Sequence, residues 1–256
     1  MKIQILSDLH LIENGFSREG RWPSMISPAA DVLVVAGDIS PAMTDTYLNF
    51  INFCAEVFDY VIVVLGNHEF YCSNIKTIKT YIAKTLMLYK NVHLLDQGKV
   101  KIGHCTFIGA TLWSHIPYEA TKTISDKLKH GWRILDFDSN KMNTLHLQDK
   151  RWLSEEIDKF NRSGKEKLIV VTHFAPSFHQ TSDPKFEGKE SNNAYASDCD
   201  CLISKVDYWI YGHTHYPQDQ IYQGCRMISN PKGYNDEKLT YSSYKVIDES
   251  NIPNRG

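Results

Sequence analysis

The 256 residues are 42% hydrophobic and 23% charged, with a formal net charge of −2. Such a chain can bury a core without disulfides or structural metal, and it has no overall positive field to draw nucleic acid or anionic lipid, though a local basic patch stays open. Six cysteines without C-x-x-C spacing exclude a zinc-finger frame and read as small core residues of a reduced, cytoplasmic protein. The opening MKIQILSDLH carries charge where a signal peptide would be apolar, and no apolar run approaches the roughly 20 residues of a membrane span.

In chain order, KIQIL (2–6) and DVLVVA (31–36) predict strands buried on both faces. TDTYLNFINFCAEVF (44–58) predicts a helix with Leu48, Ile51, Phe53, Ala55 and Phe58 along one side. YVIVVL (60–65) is a third buried strand, and SNIKTIKTYIAKTLMLY (73–89) a helix with Ser73 as its cap. VKIGHCTFIGATLW (100–113) predicts strand with one wetter face. NTLHLQDKRWLSEEIDKF (143–160) predicts a helix with Leu145, Trp152, Leu153, Ile157 and Phe160 on one stripe. KLIVVT (167–172) and DYWIY (207–211) are buried strands; CRMIS (225–229) and SSYKVID (242–248) alternate more. The polar or mixed stretches 114–143 and 177–193 read as loops over one end of the sheet with a short helix each, and the tail 249–256 as frayed. Alternating strands and helices argue α/β layering, and no composition shift divides the chain, so one domain is expected over 1–256.

The buried runs end unusually. QILS leads into Asp8 and His10, LVVAG into Asp38, VVLG into Asn67-His68-Glu69, IVVT into His173, and WIYG into His213 and His215. Taken alone, GD is more often a turn, a lone histidine a satisfied core residue, and D-x-H near noise. Together, five strands each end on a metal-competent group. On extended chain, residues two apart share a face, so Asp8 with His10 and His213 with His215 can each present two ligands to one place. Ligands of open α/β sheets bind beyond the carboxyl ends of the strands, and Asp, His and Asn without Cys suit Mn, Fe, Zn, Ni or Co. A lone aspartate such as Asp38 can bridge two ions, one on each oxygen. Gly37, Gly66 and Gly212 let the backbone approach closely.

The ordered set D-x-H, GD, GNHE, H and GHTH resembles the calcineurin-like metallophosphoesterase superfamily. The resemblance runs from residue 8 to 215. It implies an α/β (α+β) fold, a four-layer α/β/β/α sandwich of two mixed β-sheets flanked by helices. It implies hydrolysis of small phosphate mono- or diesters, with no membrane partner, at two divalent ions: Mn²⁺ or Fe foremost, Zn²⁺, Ni²⁺ or Co²⁺ also open. Carried over, Asp8, His10 and His215 hold one ion, Asn67, His173 and His213 the other, and Asp38 bridges. His68 is no ligand; it helps the leaving group depart.

The chain departs from the protein-phosphatase pattern GD-x-V-D-R-G. Pro41 stands where a second aspartate would orient the catalytic histidine, and the adjacent arginine is missing too. What orients His68 is therefore open. Trp113, His115, Arg133, His179 and Tyr234 are candidates to line the pocket. An aromatic such as Trp113 or Tyr234 could stack on a base, favouring a nucleotide-like substrate. A binding scaffold and a nuclease are the alternatives; retention of His68 favours an enzyme, since a scaffold has no use for a leaving-group acid.

Overall fold

Period-two alternation within the strands decides the layering. The computed structural model describes residues 1–16, 25–125 and 133–249. One sheet holds β1 (Lys2–Leu6), β2 (Val32–Ala36), β3 (Tyr60–Val64) and β4 (Val92–Leu94) as parallel neighbours, with β11 (Val246–Asp248) antiparallel on β1. The other runs β5 (Gly98–Ile102), β6 (Cys105–Ala110), β7 (Lys167–Thr172), β8 (Tyr208–Tyr211), β10 (Cys225–Ser229), β9 (Gln218–Tyr222). Within it β6, β7, β8 and β10 are parallel, and β5 and β9 close the edges antiparallel.

Ile3, Ile5, Val32, Val34, Ile62 and Val64 meet Phe107, Ile169, Val171, Tyr208 and Ile210 between the sheets. Their alternates Leu33, Val35, Val61 and Val63 pack instead on α1 (Asp45–Val57) and α2 (Ile75–Leu86). On the far side Ile108, Leu168, Val170 and Trp209 pack against Leu153 and Ile157 of α3 (Ser139–Lys159). The central strands are largely apolar on both faces because each face meets another layer. The result is the expected sandwich of helices outside two mixed sheets.

Several local expectations shift. The α1 face that is buried carries Tyr47, Phe50, Ile51 and Cys54, spaced i, i+3, i+4, i+7; Leu48, Phe53 and Ala55 are only partly covered. On α3, Leu145, Leu153 and Ile157 are buried, but Trp152 and Phe160 only partly. The 100–113 run is a hairpin, because Ile102 pairs with Cys105 across a two-residue turn whose Gly103 has φ +57°. Strands β4 and β9 have no counterpart in the sequence reading: one spans three residues, and the other, QDQIY, is polar because it forms an edge. The 177–193 loop contains the short 3₁₀ turn Pro184–Phe186 and enters a second, Glu190–Ala194. Of the expected frayed tail, Glu249 instead pairs with the Met1 amino group at 3.1 Å, and 250–256 lie outside the described residues. No helix among the described residues is long and apolar enough to cross a membrane.

The cap of α2 is Asn74, not Ser73: its Oδ1 accepts from Thr77 N at 2.9 Å. Chemical denaturation should therefore show Asn74→Ala less stable by about 1 kcal/mol. Ser73→Ala should stay within about 0.5 kcal/mol of the parent; equal losses would contradict the assignment.

Candidate metal centre

The carboxyl ends of β1, β2 and β3 lie side by side in one sheet, and those of β7 and β8 in the other. The chain does not leave them extended. Asp8, His10, Asp38, His213 and His215 all adopt left-handed backbone, with φ of 53°, 44°, 58°, 65° and 50°. For residues with a Cβ this conformation costs about 1 kcal/mol or more each, and it persists only where neighbours enforce it. Here they do. Asp8 N donates to Gly37 O and His10 N to Asp38 O, each at 3.0 Å, and His213 N donates to Asp8 Oδ1 at 2.9 Å across the two sheets. Gly66 and Gly212 are small by necessity: a Cβ on either would overlap the carboxylates of Asp38 and Asp8 respectively.

This reversal corrects the reading based on extended alternation. Asp8 and His10 meet because the backbone turns at both, while His213 and His215 diverge. Asp8, His10 and His215 form one cluster and Asp38, His173 and His213 another, each with ligand-type atoms within 4.8 Å of one another. Asp38 Oδ2 faces both, 3.3 Å from His173 Nε2 and 4.0 Å from His10 Nε2, while Oδ1 accepts from His68 N at 2.8 Å. Asp38 therefore stands between the two clusters.

The outer hydrogen bonds fix what the inner atoms present. His173 Nδ1 donates to Ala36 O at 2.8 Å, His213 Nε2 to Ala194 O at 3.3 Å, and His215 Nδ1 to Glu237 Oε2 at 2.6 Å. Asn67 Nδ2 donates to Tyr71 Oη at 3.0 Å, turning its carbonyl inward. With the imidazoles neutral, His173 Nε2 then carries a lone pair aimed at those of Asn67 Oδ1 (3.3 Å), His213 Nδ1 (3.2 Å) and Asp38 Oδ2 (3.3 Å). His215 Nε2 likewise faces His10 Nε2 at 2.9 Å and Asp8 Oδ1 at 3.5 Å. Lone pairs gathered in this way are relieved by a cation, and nitrogen with carboxylate oxygen is a donor set for a borderline divalent metal.

Residues 1–217 match the calcineurin-like phosphoesterase family. The chain belongs to that family. It is a metal-dependent hydrolase of phosphate esters. An uncharacterized protein of Acanthamoeba polyphaga mimivirus is 28% identical over 269 residues, covering 96% of each chain. Phosphopantetheinyl hydrolase from Mycobacterium tuberculosis shares the fold with a TM-score of 0.73 at 16% identity, over 96% of this chain and 95% of that one. The protein TT1561 of Thermus thermophilus superposes with a TM-score of 0.56 at 12% identity, over 97% and 94%.

In this phosphoesterase the clusters open into a cavity of about 1100 Å³. His68 borders it, with Nε2 3.2 Å from Tyr234 Oη and Nδ1 3.2 Å from Glu13 Oε1. The Tyr234 ring stacks on His10, centroids 4.4 Å apart. His115, Arg133, Trp113 and His179 do not line the cavity. After β6 the chain is turned toward α3: Leu112 has φ +53°, its N donates to Asp149 Oδ2, and Ile116 N donates to Asn143 Oδ1. Trp113 is fully buried against Phe70, Phe137 and Phe174, and His179 stacks on Tyr222. The Arg133 carbonyl accepts from Cys72 N.

Sequence reasoning missed three carboxylates. Glu13 and Glu237 hold His68 and His215 from outside; no motif marks them. Glu69 stood in the GNHE motif without a role. It is fully buried and accepts from Asp38 N, Ile39 N and Gly66 N at 3.1, 2.7 and 2.7 Å, tying the ends of β2 and β3 together. Burial and the neighbouring Asp38 push its carboxyl up to about 7, against those N–H donors.

Without a cation the cluster holds protons. Burial opposes charge on His173 and His215, yet Asp38 keeps the first up at about 9, and Asp8 with Glu237 the second at about 10. Burial pushes His10 down to about 4 and His213 well below the ordinary range. A metal must displace the protons on His173 and His215, because both are bound below pH 9. Loading at pH 8 should therefore release about two protons per chain, and apparent affinity should climb with pH, about tenfold per unit for each proton displaced, flattening above pH 9–10. Calorimetry in buffers of different ionisation enthalpy measures this; binding without proton release would contradict the protonated state of His173 and His215.

Proposed function

We propose that the chain hydrolyses a small phosphate ester at two divalent ions. Asp8, His10 and His215 would hold one, Asn67, His173 and His213 the other, and Asp38 would serve both. The observation that carries this reading is the convergence of lone pairs in two adjacent clusters. When bound, the ions supply charge neutralisation of the phosphate oxygens and a lowered pKa for attacking water. The ligand set, free of Cys, fits Mn²⁺ or Fe, with Zn²⁺, Ni²⁺ and Co²⁺ compatible.

The protein's own groups do the rest. Asn67 is a neutral ligand, which limits negative charge where an anion must enter. His68 Nε2 faces the cavity and gives its proton to the leaving oxygen. The cavity exceeds the needs of a phosphate alone, and Phe186, Tyr195 and Tyr234 line it, so it suits an ester with a planar organic group such as a nucleotide. The phosphopantetheinyl ester named for the Mycobacterium tuberculosis neighbour belongs in the same substrate panel. Six cysteines without C-x-x-C spacing, four of them buried as small core residues, fit a reducing compartment such as the cytoplasm.

Elemental analysis of Mn²⁺-loaded protein should give about two ions per chain, and chelation should abolish hydrolysis of every ester tested. Asp38→Asn should weaken both ions together, whereas His10→Ala should weaken mainly one; one ion per loaded parent chain would count against the dinuclear reading.

His68→Ala separates enzyme from scaffold. It should keep its metal and lose a factor of about 10²–10⁴ in turnover of esters with poor leaving groups. The loss should be smaller for a nitrophenyl ester, whose leaving oxygen needs little protonation. Equal losses on both esters would remove the acid role.

A further inference from the structure

We infer that Glu13 is the positioning residue for His68, filling the role for which Pro41 carries no acceptor; the inference rests on His68 being the leaving-group acid. Glu13 Oε1 lies 3.2 Å from His68 Nδ1, while the nearest other carboxylate oxygen, Asp38 Oδ2, lies 3.9 Å from the opposite nitrogen, Nε2. A carboxylate on Nδ1 selects the tautomer that is protonated there and aims Nε2 at the substrate. Nε2 does face the cavity, where Tyr234 Oη stands 3.2 Å away.

The turn that presents Glu13 is anchored on both sides. Asn14 N bonds to His10 O at 2.8 Å, Asn14 Nδ2 to Leu9 O and Gly233 O at 2.9 Å, and Asn14 Oδ1 accepts from Asn235 N at 3.0 Å. The anchors tie Glu13 to the ligand His10 on one side and to the Tyr234 segment on the other. The His68 ring also lies against Tyr71, centroids 4.2 Å apart. The Glu13 side chain is 31% exposed, so it can stay ionised without a second partner.

The proton accounting is simple. Water oxygen bonds to phosphorus and gives up a proton to solvent as the P–O bond to the leaving group breaks; that bond's electron pair stays on the leaving oxygen, which takes the proton from His68 Nε2. The Nδ1 proton remains on the imidazole, donated to Glu13, which stays a carboxylate. His68 is then the neutral Nδ1–H form, ready to take a proton from solvent.

A rival use of the same atoms is a cation held by His10, Glu13 and His68, whose ligand-type atoms also lie within 4.8 Å of one another. Three measurements on Glu13→Ala and Glu13→Gln decide. Imidazole ¹⁵N NMR of metal-free or Zn²⁺-loaded protein, with His68 assigned by its loss in His68→Ala, should show Nδ1–H for the parent and for Glu13→Gln, whose amide oxygen still accepts. Glu13→Ala should shift His68 toward Nε2–H. With Mn²⁺ present, Glu13→Ala should lower kcat on a poor-leaving-group ester about 10–100-fold, with KM within about threefold, the nitrophenyl ester nearly spared and Glu13→Gln in between. Metal content should match the parent. An unchanged tautomer, or equal loss on both esters, would overturn the inference; loss of an ion on Glu13→Ala would replace it with the cation site. If His68→Ala itself shows no leaving-group dependence, the acid reading falls with it. If His68→Ala shows that dependence and Glu13→Ala does not, only the role of Glu13 falls.

Discussion

Lone pairs aimed at one another repel, and the centre of this molecule is built so that they must be. Three of the candidate ligand histidines are pinned from outside: His173 by Ala36 O, His213 by Ala194 O and His215 by Glu237. Those partners accept hydrogen, so in the neutral ring the inner nitrogen is left with its electron pair. A protein without a use for cations would instead let these rings rotate and pair with one another. Protons retained by His173 and His215 offset the carboxylate charge there, which is why both titrate so far above an ordinary histidine.

The backbone maintains this arrangement at a cost. Five left-handed residues and several close glycines are tolerable only on a stiff platform. The platform is the double sheet, whose middle layer is apolar throughout, and Glu69 is its clasp at the site. A side chain of the wrong length at position 69 would free three backbone donors at once and release the turn that carries Asp38. Backbone strain and the candidate metal-holding groups therefore meet in the same few residues.

Much of this could be read from the chain. The buried strands gave the layers because their apolar runs were long and β-branched, and their polar endings pointed to the ligand-type residues. What escaped was set by three-dimensional context. The helix face of α1 depends on how it sits against the sheet, which favours Tyr47 and Phe50 over Phe53. Strand β9 is polar because it is an edge, and β4 is too short for any period to register. At the site, extended geometry wrongly paired His213 with His215, because nothing in the residues Gly-His-Thr-His announces two left-handed turns. His115 sat past a strand end like the candidate ligands, but the Asp149 carboxylate on Leu112 N draws that end toward α3.

The groups that hold the inner residues in place come from other parts of the chain. The family match ends at residue 217. Beyond it, Glu237 fixes His215, Tyr234 stands against His10 and His68, and Gly233 N bonds to Asp8 O at 2.9 Å. A Cβ on Gly233 would overlap Glu237 and Leu239, so the 230–242 segment is folded tightly on itself where it meets Asp8. The same segment then runs into β11, which closes the edge of the first sheet on β1. A single late stretch thus completes the sheet that presents Asp8 and lines the cavity beside it. Residues need not belong to the motifs to line the cavity: Tyr234, Lys238 and Thr240 reach it from beyond the family match, carried by 230–242.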